Sequence, residues 1–139
     1  MALEPLYSTE VVNAHADAAT ALADSGFLKC YEGTKPATAN TSVGEAVLLS
    51  THALAATAFG AASEGVCTAA AIGDDVSIDA DGTPNFFRVF KANGTDPLWD
   101  GTVGLTGCDL NFDSVTWQDG GTASITGFTY TANKAGPTA

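Results

Sequence analysis

The hydrophobic pattern near the start of the chain has a helical period. Side chains that suit one helix face recur there at i, i+4, i+7 and i+11, namely at Val11, His15, Ala18 and Leu22. Ser8 or Thr9 can cap the helix N-terminus, and Gly26 supplies a stop signal. We therefore predict one α-helix over residues 8–25, whose stripe of small side chains can lie close against a sheet or a neighbouring subunit.

After Gly26 the pattern changes to the alternation that is typical of strands. The candidate strands are 27–31, 46–54, 65–72, 76–79, 85–92, 98–104, 114–118 and 122–131. Turn signals separate them, and Asn93-Gly94 is the sharpest because this dipeptide favours a type I′ hairpin. About eight short strands without alternating helices predict a mainly β fold, an antiparallel sandwich or barrel.

The predicted organisation is a single domain over residues 1–139. The sandwich occupies 27–131, and 133–139 is expected to form a loose tail. The stretch 33–44, rich in Gly, Thr and Asn, is too long for a tight hairpin, so we expect a crossover or an extended interaction loop there.

The segment 86–91 is the most informative strand. Alternation places Phe86, Arg88 and Phe90 on one face. It places Phe87, Val89 and Lys91 on the other, so both faces are largely apolar. Both faces are therefore expected to be covered, one by the core and the other by the helix, a loop or another chain. Arg88 would then lie partly buried and need a carboxylate or several carbonyls. An intramolecular ion pair is favoured, and a pair across a subunit interface is the alternative.

The charge balance limits the partners of the protein. The chain has 16 acidic residues against five basic ones, a formal net charge of −11. Phosphate backbones are usually bound by Lys and Arg patches, so direct nucleic-acid binding is not expected. No apolar run approaches the ~20 residues of a membrane helix, and the first residues lack the basic and apolar regions of a signal peptide. We expect a protein that is made and kept in a cytoplasm.

The densest acidic cluster contains Asp74, Asp75, Asp79 and Asp81. Hard cations such as Ca²⁺ prefer several such oxygens around a turn. An EF-hand counted from Asp79, however, places Phe90 where the twelfth-position Glu belongs. A solvated acidic turn is therefore favoured, and Asp79 with Asp81 is kept as a weak candidate cation site.

The histidines and cysteines do not form a recognisable site. His15 and His52 have no partners at ligand spacing. Cys30, Cys67 and Cys108 are odd in number and far apart, which favours reduced thiols over a disulfide framework or a zinc site. The sequence predicts neither a metal nor another cofactor.

No catalytic motif emerges from the sequence. There is no G-x-S-x-G elbow, and the segment 33–36 is not a P-loop because the G-K-[ST] ending is missing. Trp99 and Trp117 can stack on sugars, but core or interface roles are commoner for such residues. We therefore do not expect an enzyme.

Five stretches of the chain form a recognisable succession. They are Leu28-Lys29-Cys30-Tyr31-Glu32-Gly33-Thr34-Lys35-Pro36-Ala37, Ala58-Phe59-Gly60-Ala61-Ala62, Phe86-Phe87-Arg88-Val89-Phe90 with Asn93-Gly94-Thr95, Asp100-Gly101-Thr102-Val103-Gly104 and Asp109-Leu110-Asn111. In order and spacing they resemble a family of small structural proteins of tailed bacteriophages that includes jelly-roll cement proteins. The resemblance covers about residues 10–133.

This resemblance implies a jelly-roll-like sandwich and a decoration protein of the virion. Such a protein binds the outer surface of an HK97-like capsid and cements neighbouring major capsid subunits, as a homodimer near two-fold positions. The family carries no catalytic motif to transfer. The helix, the 33–44 loop and the two-faced strand are candidate contact elements, and the candidate interface residues are Val11, His15, Leu22, Lys35, Pro36, Phe87, Arg88 and Trp99.

Two alternatives stay open at this point. The same sequence features suit another phage structural protein of the tail, the collar or a head fibre. A carbohydrate-binding sandwich is the alternative from a different class, with Trp99 or Trp117 as the sugar platform and Ca²⁺ at Asp79 and Asp81.

Overall fold

The computed structural model describes residues 6–132, and the predicted tail at 133–139 lies outside them. These residues form a mainly β structure with one helix and one seven-stranded sheet. The elements are α1 (Thr9–Ala21), β1 (Phe27–Glu32), β2 (Val47–Ala53), β3 (Val66–Thr68), β4 (Phe86–Phe90), β5 (Pro97–Gly104), β6 (Leu110–Phe112) and β7 (Ile125–Thr131).

The sheet is mixed, so the prediction of a purely antiparallel sheet is wrong. The strand order is β2-β1-β4-β5-β6-β7-β3. All neighbouring pairs are antiparallel except β5 and β6, which run parallel. The parallel pair arises because a short connection after Gly104 returns the chain to the side of β5 without reversing its direction.

The strand predictions fail where the chain forms single bridges rather than ladders. Two predicted strands, 76–79 and 114–118, are irregular segments near the bridges Asp75–Ala123 and Gly82–Trp117. The predicted strand 65–72 shortens to β3, and β6 was not predicted at all. The described residues therefore contain seven strands rather than eight.

α1 begins as predicted but packs through a different face. The Ser8 side chain accepts a hydrogen bond from Val11 N–H, and the regular helix ends at Ala21 rather than Ser25. The buried positions of this region are Val12, Ala16, Thr20 and Ala23. The helix has two stripes of small side chains, which are offset by one residue. The stripe that contains Val12 packs against the sheet and the segment before β3, so the predicted stripe that contains Val11 faces outward.

β4 lies between β1 and β5, and all five of its residues are buried, as predicted for a strand that is apolar on both faces. One face joins the core through Phe87 and Val89. On the other face, Phe86 stacks on Tyr31 with ring centroids 5.2 Å apart, and Arg88 reaches the 33–44 loop.

The sheet is strongly curved. β2 and β6 are four positions apart in the strand order, which corresponds to about 19 Å across a flat sheet. The ring centroids of His52 on β2 and Phe112 on β6 nevertheless lie 5.7 Å apart. Phe87 and Phe128, three strands apart, are in edge-to-face contact at 5.2 Å. The core therefore lies inside the bend of the sheet.

The turn between β4 and β5 is not the predicted type I′ turn. That turn needs positive φ at both central residues, but only Gly94 has it, at 74°. Gly94 N–H donates to Lys91 C=O, and the Asn93 carboxamide oxygen accepts from Thr95 N–H and Asp96 N–H. Asn93 closes the turn with its side chain instead of a left-handed backbone.

Candidate functional site

The outer face of α1 carries a stripe of exposed, uncharged side chains. We define this outer helix face by the exposed residues Val11, Ala14, His15, Ala18 and Leu22. Val11 is 40 % exposed and Leu22 is 53 % exposed, although both are large hydrophobic residues. Three of the predicted contact residues, Val11, His15 and Leu22, lie in this stripe, and all three are accessible.

The inner side of α1 is clamped to the segment before β3. The Asn13 carboxamide oxygen accepts from Gly65 N–H at 2.8 Å, and an Asp17 oxygen accepts from Ala62 N–H at 2.8 Å. A Cβ at Gly65 would lie 2.5 Å from a Val12 methyl group, so only glycine permits this approach. The outer helix face is therefore presented by a firmly attached helix.

The Tyr7 ring contacts the outer helix face at its N-terminal end. Its centroid lies 5.0 Å from that of His15 at an interplanar angle of 83°, an edge-to-face arrangement. His15 is exposed, so this contact extends the uncharged area towards the start of the helix.

The 33–44 loop carries Lys35, which is exposed, and Pro36, which is half-buried. The loop is anchored at two points. Gly33 N–H donates to the Asn85 carboxamide oxygen at 2.7 Å, and Thr38 C=O accepts from Arg88 Nη2 at 3.3 Å. The predicted contact loop is accordingly tied to the sheet.

Two candidate contact residues, Phe87 and Arg88, lie in the interior and offer no surface to a partner. Arg88 forms the intramolecular ion pair that the sequence favoured: its Nε donates to Asp100 Oδ1 at 2.6 Å, and its Nη2 donates to Oδ2 at 2.9 Å. These hydrogen bonds raise the pKa of Arg88 above its usual value, although burial opposes that shift.

The acidic segment is held by backbone hydrogen bonds. Asp75 accepts from Thr51 N–H and Ser77 N–H, both at 2.9 Å, and Asp81 accepts from Asp119 N–H at 2.8 Å. Asp79 is exposed. Within residues 6–132, no three or more His, Cys, Asp or Glu side chains come together in a way that would hold a metal ion.

The second histidine has a structural environment. His52 is 1 % exposed, and its ring nitrogens bond to Gly73 C=O at 3.0 Å and to Ser50 Oγ at 3.2 Å. Burial lowers the pKa of His52 below its usual value, although the Gly73 carbonyl and nearby Asp75 oppose the shift.

Two of the three cysteines are buried, and all three are free thiols. Burial raises the pKa of Cys30 to about 12, and it also raises the pKa of Cys67. Their thiols therefore stay protonated at neutral pH, which makes them poor nucleophiles. Cys108 is partly exposed.

The two tryptophans pack within the protein. Trp99 is half-buried, with its ring against Phe128 and Tyr130. Trp117 is 4 % exposed, and its Nε1 donates to Ser114 C=O at 2.7 Å. Trp117 therefore offers no open ring face to a sugar, and the Trp99 ring is partly covered.

Several exposed hydrophobic residues were not predicted as contacts. They are Leu6, Val47, Val76 and Leu105. They lie singly in loops, on an edge strand or before the helix, and no periodic signal in the sequence distinguishes such positions from core residues.

Comparison of the chain with protein-family models, curated proteins and solved structures finds no significant match. Among the described residues, no helix is long and apolar enough to span a membrane.

Proposed function

We propose that this protein is a non-enzymatic structural protein of a tailed-phage virion. It binds the outer surface of an HK97-like capsid, cements neighbouring major capsid subunits and acts as a homodimer. The proposal starts from the resemblance of the segments between about residues 10 and 133 to phage cement proteins. It also extends to the fold: the contact between His52 and Phe112 across the curved sheet supports a jelly-roll-like sandwich.

The observation that carries the proposal is the outer helix face. A helix usually turns its apolar stripe inward and its charged residues outward. α1 buries one uncharged stripe and exposes a second, which includes Val11 and Leu22. An exposed apolar face on a well-anchored helix is the kind of adhesive surface that a shell component needs.

The strength of a single contact is modest. Burying a Val or Leu side chain completely contributes about 1.5–3 kcal/mol, so two roughly half-exposed residues add about 2 kcal/mol together. A capsid offers many identical sites, and a dimer that bridges two of them gains from high effective concentration. Small contact areas therefore suffice for firm attachment.

The acidic charge supports an outward position on the capsid. A net charge of −11 repels packaged nucleic acid and attracts basic patches on a partner. The expected partner surface on the major capsid protein is therefore basic around an apolar centre, and attachment should weaken as salt increases.

The test is binding to capsids that lack this protein. Purified protein should sediment with them at about one copy per capsid subunit. The double variant V11Q/L22Q should bind about thirtyfold more weakly, as expected for a loss of about 2 kcal/mol. V47Q/L105Q is the matched control, because Val47 is 46 % and Leu105 53 % exposed but both lie away from α1.

Equal binding of the two double variants would refute the role of the outer helix face. No binding of the unmodified protein to such capsids would refute the cement function. Labelling of the protein in intact virions at the tail, the collar or a fibre would instead support the alternative phage roles.

A further inference from the structure

β6 is much shorter than the strands on either side of it. It has three residues, whereas β5 has eight and β7 has seven. β5 pairs with β6 only through Val103 and Gly104, and the pairing of β7 with β6 stops at Phe128. Beyond that point, β5 and β7 flank a slot that no described strand fills.

The slot is lined by backbone groups without a sheet partner among residues 6–132. Thr102 N–H and Thr129 N–H point towards β6, since they bond to the Asp109 carboxylate and to Asp109 C=O. Backbone direction alternates along a strand, so the N–H and C=O groups of Asp100 and Thr131 point into the slot. Along the slot, β5 is paired with β4 and β7 is paired with β3 on their other sides.

The slot has an aromatic floor and acidic walls. It encloses about 250 Å³ and is lined by Trp99, Asp100, Asp109, Thr129, Tyr130 and Thr131. The rings of Trp99 and Tyr130 meet at 4.9 Å beneath it. The stretch of β7 beyond its pairing with β6 covers residues 129–131, or about 10 Å, which matches a short extended segment.

We propose that this slot accepts an extended segment of a partner protein as a continuation of β6. The segment would run antiparallel to β7 and parallel to β5, as β6 does, and would bond to both through its backbone. No Lys or Arg lines the slot. Asp100 is paired with Arg88, whereas Asp109 is exposed, so a basic residue in the segment would find an acidic partner.

A glycan fits this slot less well. Sugar binding needs an aromatic ring face in contact with the ligand, but the Trp99 ring already packs against Phe59, Phe128 and Tyr130. The alternating apolar side chains of a bound strand need to contact only the exposed edges of the Trp99 and Tyr130 rings. The peptide proposal does not depend on the capsid role, because its test uses no capsids.

The test uses the full chain and the capped peptide Lys-Thr-Val-Thr-Val-Thr-Lys, chosen for high β propensity and terminal positive charge. Its binding should shift the amide NMR signals of Asp100 and Thr131 and slow their hydrogen exchange. The same peptide with alternate backbone nitrogens methylated should bind at least about tenfold more weakly, because it loses ladder hydrogen bonds. Asp109→Asn should weaken binding of the unmodified peptide.

Four results would overturn the proposal. The first is an absence of amide shifts at millimolar peptide. The second is equal binding of the methylated peptide. The third is protection of the Asp100 and Thr131 amides before any peptide is added, with contacts to residues 133–139, which would show that the chain fills its own slot. Displacement of the peptide by neutral oligosaccharides would assign the slot to glycans instead.

Discussion

The buried ion pair between Arg88 and Asp100 gives the sharpest test of the fold. Their side chains are only 5 % and 6 % exposed, and two hydrogen bonds join them, while a third links Arg88 to Thr38 C=O. Asp100→Asn removes the countercharge but leaves the guanidinium buried. Breaking a buried pair in this way costs about 3–5 kcal/mol.

The expected loss is large compared with the total stability of a typical domain, about 5–15 kcal/mol. At about 3 °C per kcal/mol for a chain of this size, Asp100→Asn should lower Tm by about 10–15 °C. Urea unfolding monitored by tryptophan fluorescence measures the free energy directly. The 33–44 loop should also become more open to proteolysis, because its anchor at Thr38 depends on the orientation of Arg88.

A matched control separates the ion pair from a simple loss of charge. Asp113 is an exposed carboxylate, so Asp113→Asn should change stability by less than about 0.5 kcal/mol. Replacing both partners by Arg88→Met and Asp100→Leu should recover most of the loss, because neither charge then stays buried alone. A loss below about 1 kcal/mol in Asp100→Asn, or a double variant worse than the sum of the single variants, would refute the reasoning.

Three further predictions concern other buried positions. His52 has a lowered pKa in the folded state, so the unfolded chain binds the proton more readily. The free energy of unfolding should therefore be highest above about pH 6.5 and should fall as the pH drops below that value. Urea unfolding at pH 5 and pH 8 measures this loss, and His52→Gln should remove it. Gly101→Ala should cost about 1–3 kcal/mol in thermal unfolding, because its Cβ would lie 2.5 Å from the Phe87 ring. Cys30, whose pKa is about 12, should resist alkylation at pH 8 until the protein unfolds, as measured by mass spectrometry.

Each of these predictions has its own control. Gly73→Ala should leave Tm unchanged, because nothing lies within 4 Å of the added Cβ. His15→Gln, on the exposed helix face, is the matched histidine variant for the same urea unfolding measurement. Cys108 is partly exposed and should be alkylated before Cys30. If the acid loss of stability persists in His52→Gln, groups other than His52 cause that loss. A Gly101→Ala variant as stable as the unmodified protein, or alkylation of Cys30 before unfolding, would contradict the packing described.

Local patterns were sufficient where burial is decided within one strand. The segment 86–90 is apolar on both faces, and this alone predicted that both faces are covered and that Arg88 needs a carboxylate or several carbonyls. The helix start was equally readable from Ser8. The buried helix face was not, because two small-residue stripes compete, and contacts with Gly65 and Cys67, distant in sequence, decide between them.

Non-local register decides the features that the sequence missed. β6 is a strand only because Leu110 and Phe112 meet β5 and β7, and three residues carry too little alternation to be recognised alone. The slot beside β6 depends on the unequal lengths of three strands. No single segment contains that information, so the candidate peptide site was invisible before the strand order was known.

The proposed cement function requires that this protein strengthen a capsid by binding to its outer surface. Its most direct test is the thermal stability of capsids that lack the protein, measured before and after addition of the purified chain. We expect a higher melting temperature at saturation with about one copy per capsid subunit, and a smaller increase with V11Q/L22Q at the same protein concentration. Capsids that melt at the same temperature with and without bound protein would contradict it.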